Sequence, residues 1–311
     1  MENQEKKHKR RVRYSGAYPK NYREKYKELQ PEKYADTISK VIQKGSTPAG
    51  MHLSICVKEI LDFLKIQPGQ TGLDATLGYG PDILTVMLQN FADIDQVAEE
   101  TGKFDFVLAD LGVSSMQIDN PDRGFSYKTE GPLDLRMNPK KGISAAQRLK
   151  DISVEEFQGM LMENADEPYA QEIAWEVTDR LRRGEEIATT TQLRQAIEAA
   201  LSFIPEKERR EAVKKSSQRT FQALRIDVNN EYEALYSFLE KLPEVLAPNG
   251  RVAILTFHSG EDRLVKKSFK RFYKEGIYKE IANEVIRPSQ EECIRNSRAR
   301  STKMRWAIRA D

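Results

Sequence analysis

The chain has 311 residues, of which 39% are hydrophobic and 32% charged, and its formal net charge is only +2. That length is enough to bury a sizeable core in one large domain or two smaller ones. No apolar run approaches the roughly 20 residues that a membrane helix needs. The segment Met1 to Arg13 is charged throughout with no apolar stretch behind it, so no secretory signal is expected and the expected location is cytoplasmic. Cys56 and Cys293 lie far apart outside any CxxC spacing, and with His8, His52 and His258 as the only histidines no metal site is expected.

Charge distribution says more than the total. Lys6 to Arg13 is a basic arm, and Arg287, Arg295, Arg298, Arg300, Lys303, Arg305 and Arg309 repeat the theme near the other end. Such stretches attract phosphates at long range, and they are equally common as solvated faces. Residues 1–50 read as a peripheral extension in which Tyr14, Tyr18, Tyr22, Tyr26 and Tyr34 are interleaved with cations. Aromatics among cations stack on bases or pack as a surface arm on their own domain, and the residues alone leave both readings open.

From Leu53 onward the pattern becomes periodic. Ile55, Val57, Ile60, Leu61 and Leu64 predict an amphipathic helix over Ser54 to Lys65, with Ser54 as its cap. Strands are predicted at Thr71 to Thr76, Ile83 to Met87 and Phe104 to Leu108. Ser144 to Leu149, Ser153 to Asn164, Tyr169 to Arg183 and Thr191 to Phe203 then read as helices, mostly opened by Ser or Thr. A long helix is expected over Phe221 to Lys241, a turn at Pro248-Asn249-Gly250, and a buried parallel strand at Arg251 to Phe257. Strands at both ends with helices between them predict an α/β domain interrupted by a helical insertion. The expected division is an extension over 1–50, a sheet domain over 51–122 and 221–311, and a helical insertion over 123–220.

Three polar runs sit where open α/β sheets bind ligands, at the carboxyl ends of predicted strands. Asp74 to Gly80 places an acid before a glycine loop, which lets the backbone approach a ligand and is also an ordinary tight turn. Asp110 to Ser115, DLGVSS, follows the strand at Phe104, with Gln117 and Asp119 extending its lip. FHSGEDR at Phe257 to Arg263 crowds Glu261, Asp262 and Arg263 around His258, which reads either as a hydrogen-bonded structural histidine or as a site residue. Arg225 and Asn229 share one helix face, suited to a phosphate or base or to an internal hydrogen-bond network.

Taken in order, His52, DATLGYG, DLGVSS, GPLD with Arg136, TTTQLR, RTFQALRI, FHS with Glu261 to Arg263, and the closing RSTKMR resemble the MraW/RsmH family over roughly Met51 to Arg305. That family methylates a cytosine N4 in the decoding region of small-subunit ribosomal RNA, using S-adenosylmethionine. The resemblance implies a class I, Rossmann-like methyltransferase sheet with a helical insertion domain. It also implies a substrate of small-subunit ribosomal RNA or the assembled small subunit, with no membrane partner and with assembly as a homodimer open. It would make Gly78, Gly80, Phe91, Asp110 and Gln117 cofactor contacts and place Asp110, His258 and Asp262 at the reaction site. Arg219, Arg225, Asn229, Arg263, Arg300 and Lys303 become the expected RNA grips.

The family pattern breaks after Gly80, which is followed here by Pro81-Asp82-Ile83. Too few residues lie between Gly80 and Phe104 for the two crossovers the family has there, since even one strand–helix–strand unit needs roughly 30. The chain therefore reads as an internal deletion that removes strand two and its flanking helices, and it reads either as a methyltransferase or as a non-catalytic RNA- or ribosome-binding relative that has lost the cofactor. Asp82, Asp93 and Asp95 are the acids left to replace the lost ribose-binding acid. Gly260 stands where the family usually has Leu.

Overall fold

An apolar seven-residue strand, β2 (Phe104–Asp110), sits second from one edge of a five-stranded sheet. The computed structural model describes residues 54–76 and 84–311, together with Glu32; 54–311 form one compact unit. The N-terminal arm with its tyrosines, His52, Gly78, Gly80 and Asp82 lies outside the described residues.

Cys56 precedes the first helix, α1 (Val57–Leu64), with a left-handed φ of 56° and no side-chain cap, so the expected Ser54 cap is replaced. The Cys56 N–H instead donates to Glu292 Oε1 at 3.0 Å. Strand β1 (Gly72–Asp74) is shorter than the predicted one and pairs parallel with β2. Helix α2 (Ile94–Thr101) then leads into β2. Beyond β2 come the short α3 (Ser115–Asp119) and a block of helices, α4 (Ala145–Lys150), α5 (Val154–Ala165), α6 (Ala170–Arg182), α7 (Thr190–Ala200) and α8 (Glu206–Asn229). Ser144 and Thr189 open α4 and α7 with full capping boxes, and Ser153 caps α5.

The long helix expected over Phe221 to Lys241 is two helices. Helix α8 ends at Asn230, whose φ of 49° is left-handed, and α9 (Glu231–Val245) starts directly after it. Asn tolerates that conformation better than most residues, so it stops one helix and redirects the next. β3 (Leu246–Thr256) follows, parallel to β2, with the predicted turn absorbed as a register shift around Asn249 at φ 63°. Helix α10 (Ser259–Lys274), β4 (Tyr278–Ile281), α11 (Gln290–Arg295) and β5 (Lys303–Arg309) complete the unit, β5 pairing antiparallel with both β3 and β4.

Two apolar cores result. One, including Leu149, Phe157, Ile173, Leu193 and Leu224, packs helices α4 to α8 together with loop residues such as Leu133 and Leu135. The other packs Ile94, Val107, Phe238, Leu242, Ile254 and Phe269 around the sheet. A third, smaller cluster joins α1 to the opposite sheet face through Ile60, Leu64, Leu255 and Met304.

The strand expected at Ile83 to Met87 is absent: residues 84–90 form no ladder, and Ile83 lies outside the described residues. Leu84, Val86 and Leu88 are exposed instead. Among the described residues nothing pairs with the outer edge of β1, so strand order runs from β1 to β2 to β3 without reversing. A parallel partner needs a crossover of a dozen residues or more, and the short connection here already contains α2, which leads to β2.

Candidate active site at the carboxyl ends of the parallel strands

β1, β2 and β3 run parallel, so Asp74, Asp110 and Thr256 end on one rim of the sheet. Thr76 ties two of these ends together. Its N–H and hydroxyl both donate to Asp74 Oδ1 at 2.9 Å, and its Oγ1 accepts from the Asp110 N–H at 2.8 Å. On the other side the Leu111 N–H donates to the Leu255 carbonyl at 3.1 Å. The backbone around Asp110 is thereby fixed from both neighbouring strands, while its side chain is not: Oδ1 is buried and has no hydrogen-bond partner. Burial first, then the charges of Asp74 and Glu261, push the Asp110 carboxyl up to about 6. An unpartnered carboxylate oxygen inside a protein is costly, and such sites concentrate where function requires them.

After Asp110 the chain turns through Gly112, at φ +92°. Ser114 then caps α3, its Oγ accepting from the Gln117 N–H while Gln117 Oε1 accepts from the Ser114 N–H at 2.8 Å. Gln117 is thus held by the cap at this rim. Phe91 belongs to the sheet core, where its ring meets Phe238 edge-on at 5.4 Å.

The third rim element is the start of α10. His258 is its N-cap, with Nδ1 accepting from the Glu261 N–H at 3.5 Å. Its Nε2 lies 3.2 Å from Glu261 Oε1, yet the angle makes no hydrogen bond and the atom is buried. Glu261 is itself buried, and its Oε2 accepts from the Phe257 N–H at 2.8 Å. Burial alone would raise the Glu261 carboxyl, but His258, the Phe257 N–H and Arg225 outweigh it and hold it low. Because α9 runs into the start of β3, the N-terminus of α9 with Glu231 and Tyr232 lies on this same rim.

Several of the expected RNA grips have intramolecular partners. Arg225 is buried and makes a two-pronged pair with Glu231, at 2.8 and 2.9 Å. Asn229 accepts from the Met137 N–H at 2.6 Å and donates to the Leu135 carbonyl at 2.8 Å, which holds Leu135 in a left-handed turn at φ 62°. Of the two readings of that helix face, the internal network is the one observed. Asp262 accepts from Arg305 at 2.6 Å and Lys303 at 2.9 Å, which anchors α10 to β5 and holds the carboxyl below its usual range despite burial. Arg263 pairs with Asp166 at 3.1 Å across the two cores. Arg219, its side chain 38% exposed, is 3.9 Å from the buried Glu167, and Arg300 is exposed.

Thr76, Glu231 and Tyr232 were not singled out from sequence. Thr76 stood inside the glycine-loop segment, but that its hydroxyl bridges two strands depends on strand pairing. Glu231 and Tyr232 carry no motif, and only the break at Asn230 brings them to the rim. Asp95, one of the acids left to serve the ribose, is paired with Lys241 at 2.8 Å, and Asp93 sits at the entry to α2.

The rim suits one end of a nucleoside-containing methyl donor. Open α/β sheets bind such ligands where strand order reverses, and among the described residues there is no reversal at β1.

Comparison with known proteins agrees with this geometry. The family model described as the MraW methylase family matches residues 81–310, beginning at the residue after Gly80. Ribosomal RNA small subunit methyltransferase H 1 of Lachnoclostridium phytofermentans is 65% identical, over 99% of this chain and 95% of that protein. Its namesake from Agathobacter rectalis is 60% identical over 99% of both chains. Ribosomal RNA small subunit methyltransferase H 2 of Alkaliphilus metalliredigens is 60% identical over the whole of both. The first of these alignments runs over 348 positions, more than the 311 residues present here, so the relative carries residues that this chain lacks. With a family model covering most of its length and relatives matching nearly all of it, the chain belongs to the MraW methylase family.

Proposed function

We propose that this chain transfers a methyl group from S-adenosylmethionine to the exocyclic N4 of a cytosine in small-subunit ribosomal RNA, in the cytoplasm. The donor supplies an electrophilic methyl on a sulfonium. The acceptor nitrogen is a weak nucleophile because its lone pair is delocalised into the ring. The observation that carries this reading is the buried, unpartnered Oδ1 of Asp110 at the end of β2. That oxygen accepts a hydrogen bond from the N4–H, localises the nitrogen lone pair, and takes the proton released as the new N–C bond forms. A carboxyl raised to about 6 is basic enough for the task and still ionised at neutral pH. The base must leave its stack to reach this rim, and the His258 loop borders the space it would enter. The exposed guanidinium groups of Arg219 and Arg300 are the phosphate grips this reading favours, with Arg263 and Lys303 available by exchange of their carboxylate partners. The helical block over 123–220 then acts as an insertion that presents RNA to the rim.

The test is methyl transfer to purified small ribosomal subunits with labelled donor at saturating concentration. Incorporation at one cytosine that disappears in Asp110→Asn supports the reading. Incorporation elsewhere, or none from a protein shown to bind donor, overturns it.

A further inference from the structure

Gly260, in the first turn of α10, has no room for a side chain. A Cβ there would lie 1.8 Å from the Tyr232 hydroxyl oxygen and 2.7 Å from its Cζ. Tyr232, in the first turn of α9, therefore occupies the volume that any other residue at 260 would fill. Its hydroxyl donates to the Asn164 carbonyl at 3.1 Å, near the end of α5 in the helical block. Its ring also packs against His258, at 6.0 Å between centroids and tilted by 43°.

The imidazole needs such a support. One of its nitrogens has only a 3.5 Å contact with the Glu261 N–H, and the other, buried, has no well-formed hydrogen bond. Hydrogen bonding alone leaves the ring free to tilt about its Cβ–Cγ bond, so packing decides its orientation. Two further contacts cross at the same place. Ser259 donates to Asp166 at 3.1 Å, and Arg263 pairs with the same carboxylate, so the start of α10 is fastened to the end of α5 on both sides of Gly260.

We infer that Tyr232 is a positioning residue for His258: wedged over Gly260 and tied to Asn164, it sets the imidazole's orientation and couples the helical block to the base-facing rim. This rests on the reading that the His258 loop borders the base. Substitution of Gly260 by Leu must turn the phenol away from Asn164 and from the imidazole. Substitution of Tyr232 by Ala opens a void beside Gly260. The two changes together refill that space with a side chain of similar position, so their effects are strongly non-additive.

Histidine NMR on the full chain tests this directly, since only three histidines are present. The His258 ring-proton signal, assigned by its loss in His258→Ala, is expected to move in Tyr232→Ala and in Gly260→Leu as the ring current and contact are lost. A smaller shift in the same direction is expected in Tyr232→Phe, which keeps the ring and drops the tie to Asn164. Melting temperature should fall in each of the two disruptive single variants and recover in the Tyr232→Ala/Gly260→Leu double variant. In the transfer assay the disruptive single variants should lower kcat about tenfold, with KM for the small subunit changed less. An unmoved His258 signal in Tyr232→Ala, or additive losses in the double variant, overturns the inference. If His258→Ala leaves transfer unchanged while the signal responds as described, the positioning stands and the base-facing role of His258 fails.

Discussion

The helical block and the outer edge of the sheet are built to different standards. In the block, long apolar side chains such as Phe157, Ile173 and Leu193 are fully buried, and α4, α5 and α7 open on side-chain caps. At β1 the ladder is three residues long, its outer edge is unpaired among the described residues, and Val86 and Leu88 are 58% and 107% exposed nearby. Bare parallel edges and exposed apolar side chains are features that folded proteins normally cover. The difference shows that the helical block is fully packed while the sheet is thin at its β1 edge, which on the proposed function is the side of the donor's nucleoside. The relatives match nearly the whole of this chain, and the alignment with the Lachnoclostridium protein is longer than the chain itself.

The largest effects should come from the well-built half. Leu193→Ala in the helical core costs about 2–5 kcal/mol; replacing Arg225 by Met removes both hydrogen bonds from the half-buried Glu231 carboxylate, which costs about 1–3 kcal/mol. Denaturant unfolding reads both, and losses below 1 kcal/mol would mean the block is looser than its packing indicates.

Asp110→Asn should reduce transfer about 10²–10⁴-fold. Its effect on stability should have the opposite sign. Because the folded carboxyl is raised to about 6, well above its ordinary value, ionisation disfavours the folded state at neutral pH. Removing the charge should therefore stabilise the protein by on the order of 2 kcal/mol. The wild-type rate should fall as pH drops through about 6, and that inflection should be absent from the residual rate of the variant. A rate flat between pH 5 and 8 would remove Asp110 from the proton-accepting role.

Donor binding sharpens the comparison from the other side. Two or three lost polar contacts at roughly 1 kcal/mol each predict S-adenosylmethionine binding about 100-fold weaker than in the Lachnoclostridium relative, with small-subunit binding unchanged. Calorimetry on the two proteins side by side measures this, and equal affinities would mean that the open edge costs the site nothing. The smallest effect is expected from Val86→Ser and Leu88→Ser, which should change stability by less than about 0.5 kcal/mol because neither side chain is buried.

Much of this was readable before any coordinates. Helical periodicity with Ser and Thr at the starts marked the block because capping and amphipathicity act over a few residues. The apolar runs at Phe104 and Arg251 marked the two central parallel strands for the same local reason. The motif order identified the family, and the spacing after Gly80 exposed the missing crossover because chain length is a hard limit on connection. What sequence could not settle was anything decided by a partner distant in the chain. Ile83 to Met87 has strand composition, but its described residues 84–87 find no ladder, since a strand exists only when a neighbour supplies hydrogen bonds. Arg225 is held because helix α8 stops at Asn230 and returns Glu231 to it, and Asn229 is held by the backbone of Leu135 and Met137, far away in the chain. The bare oxygen of Asp110, the two cations closing on Asp262 and the wedge of Tyr232 over Gly260 are products of tertiary packing, where local preference yields to whatever the fold brings within a few ångströms.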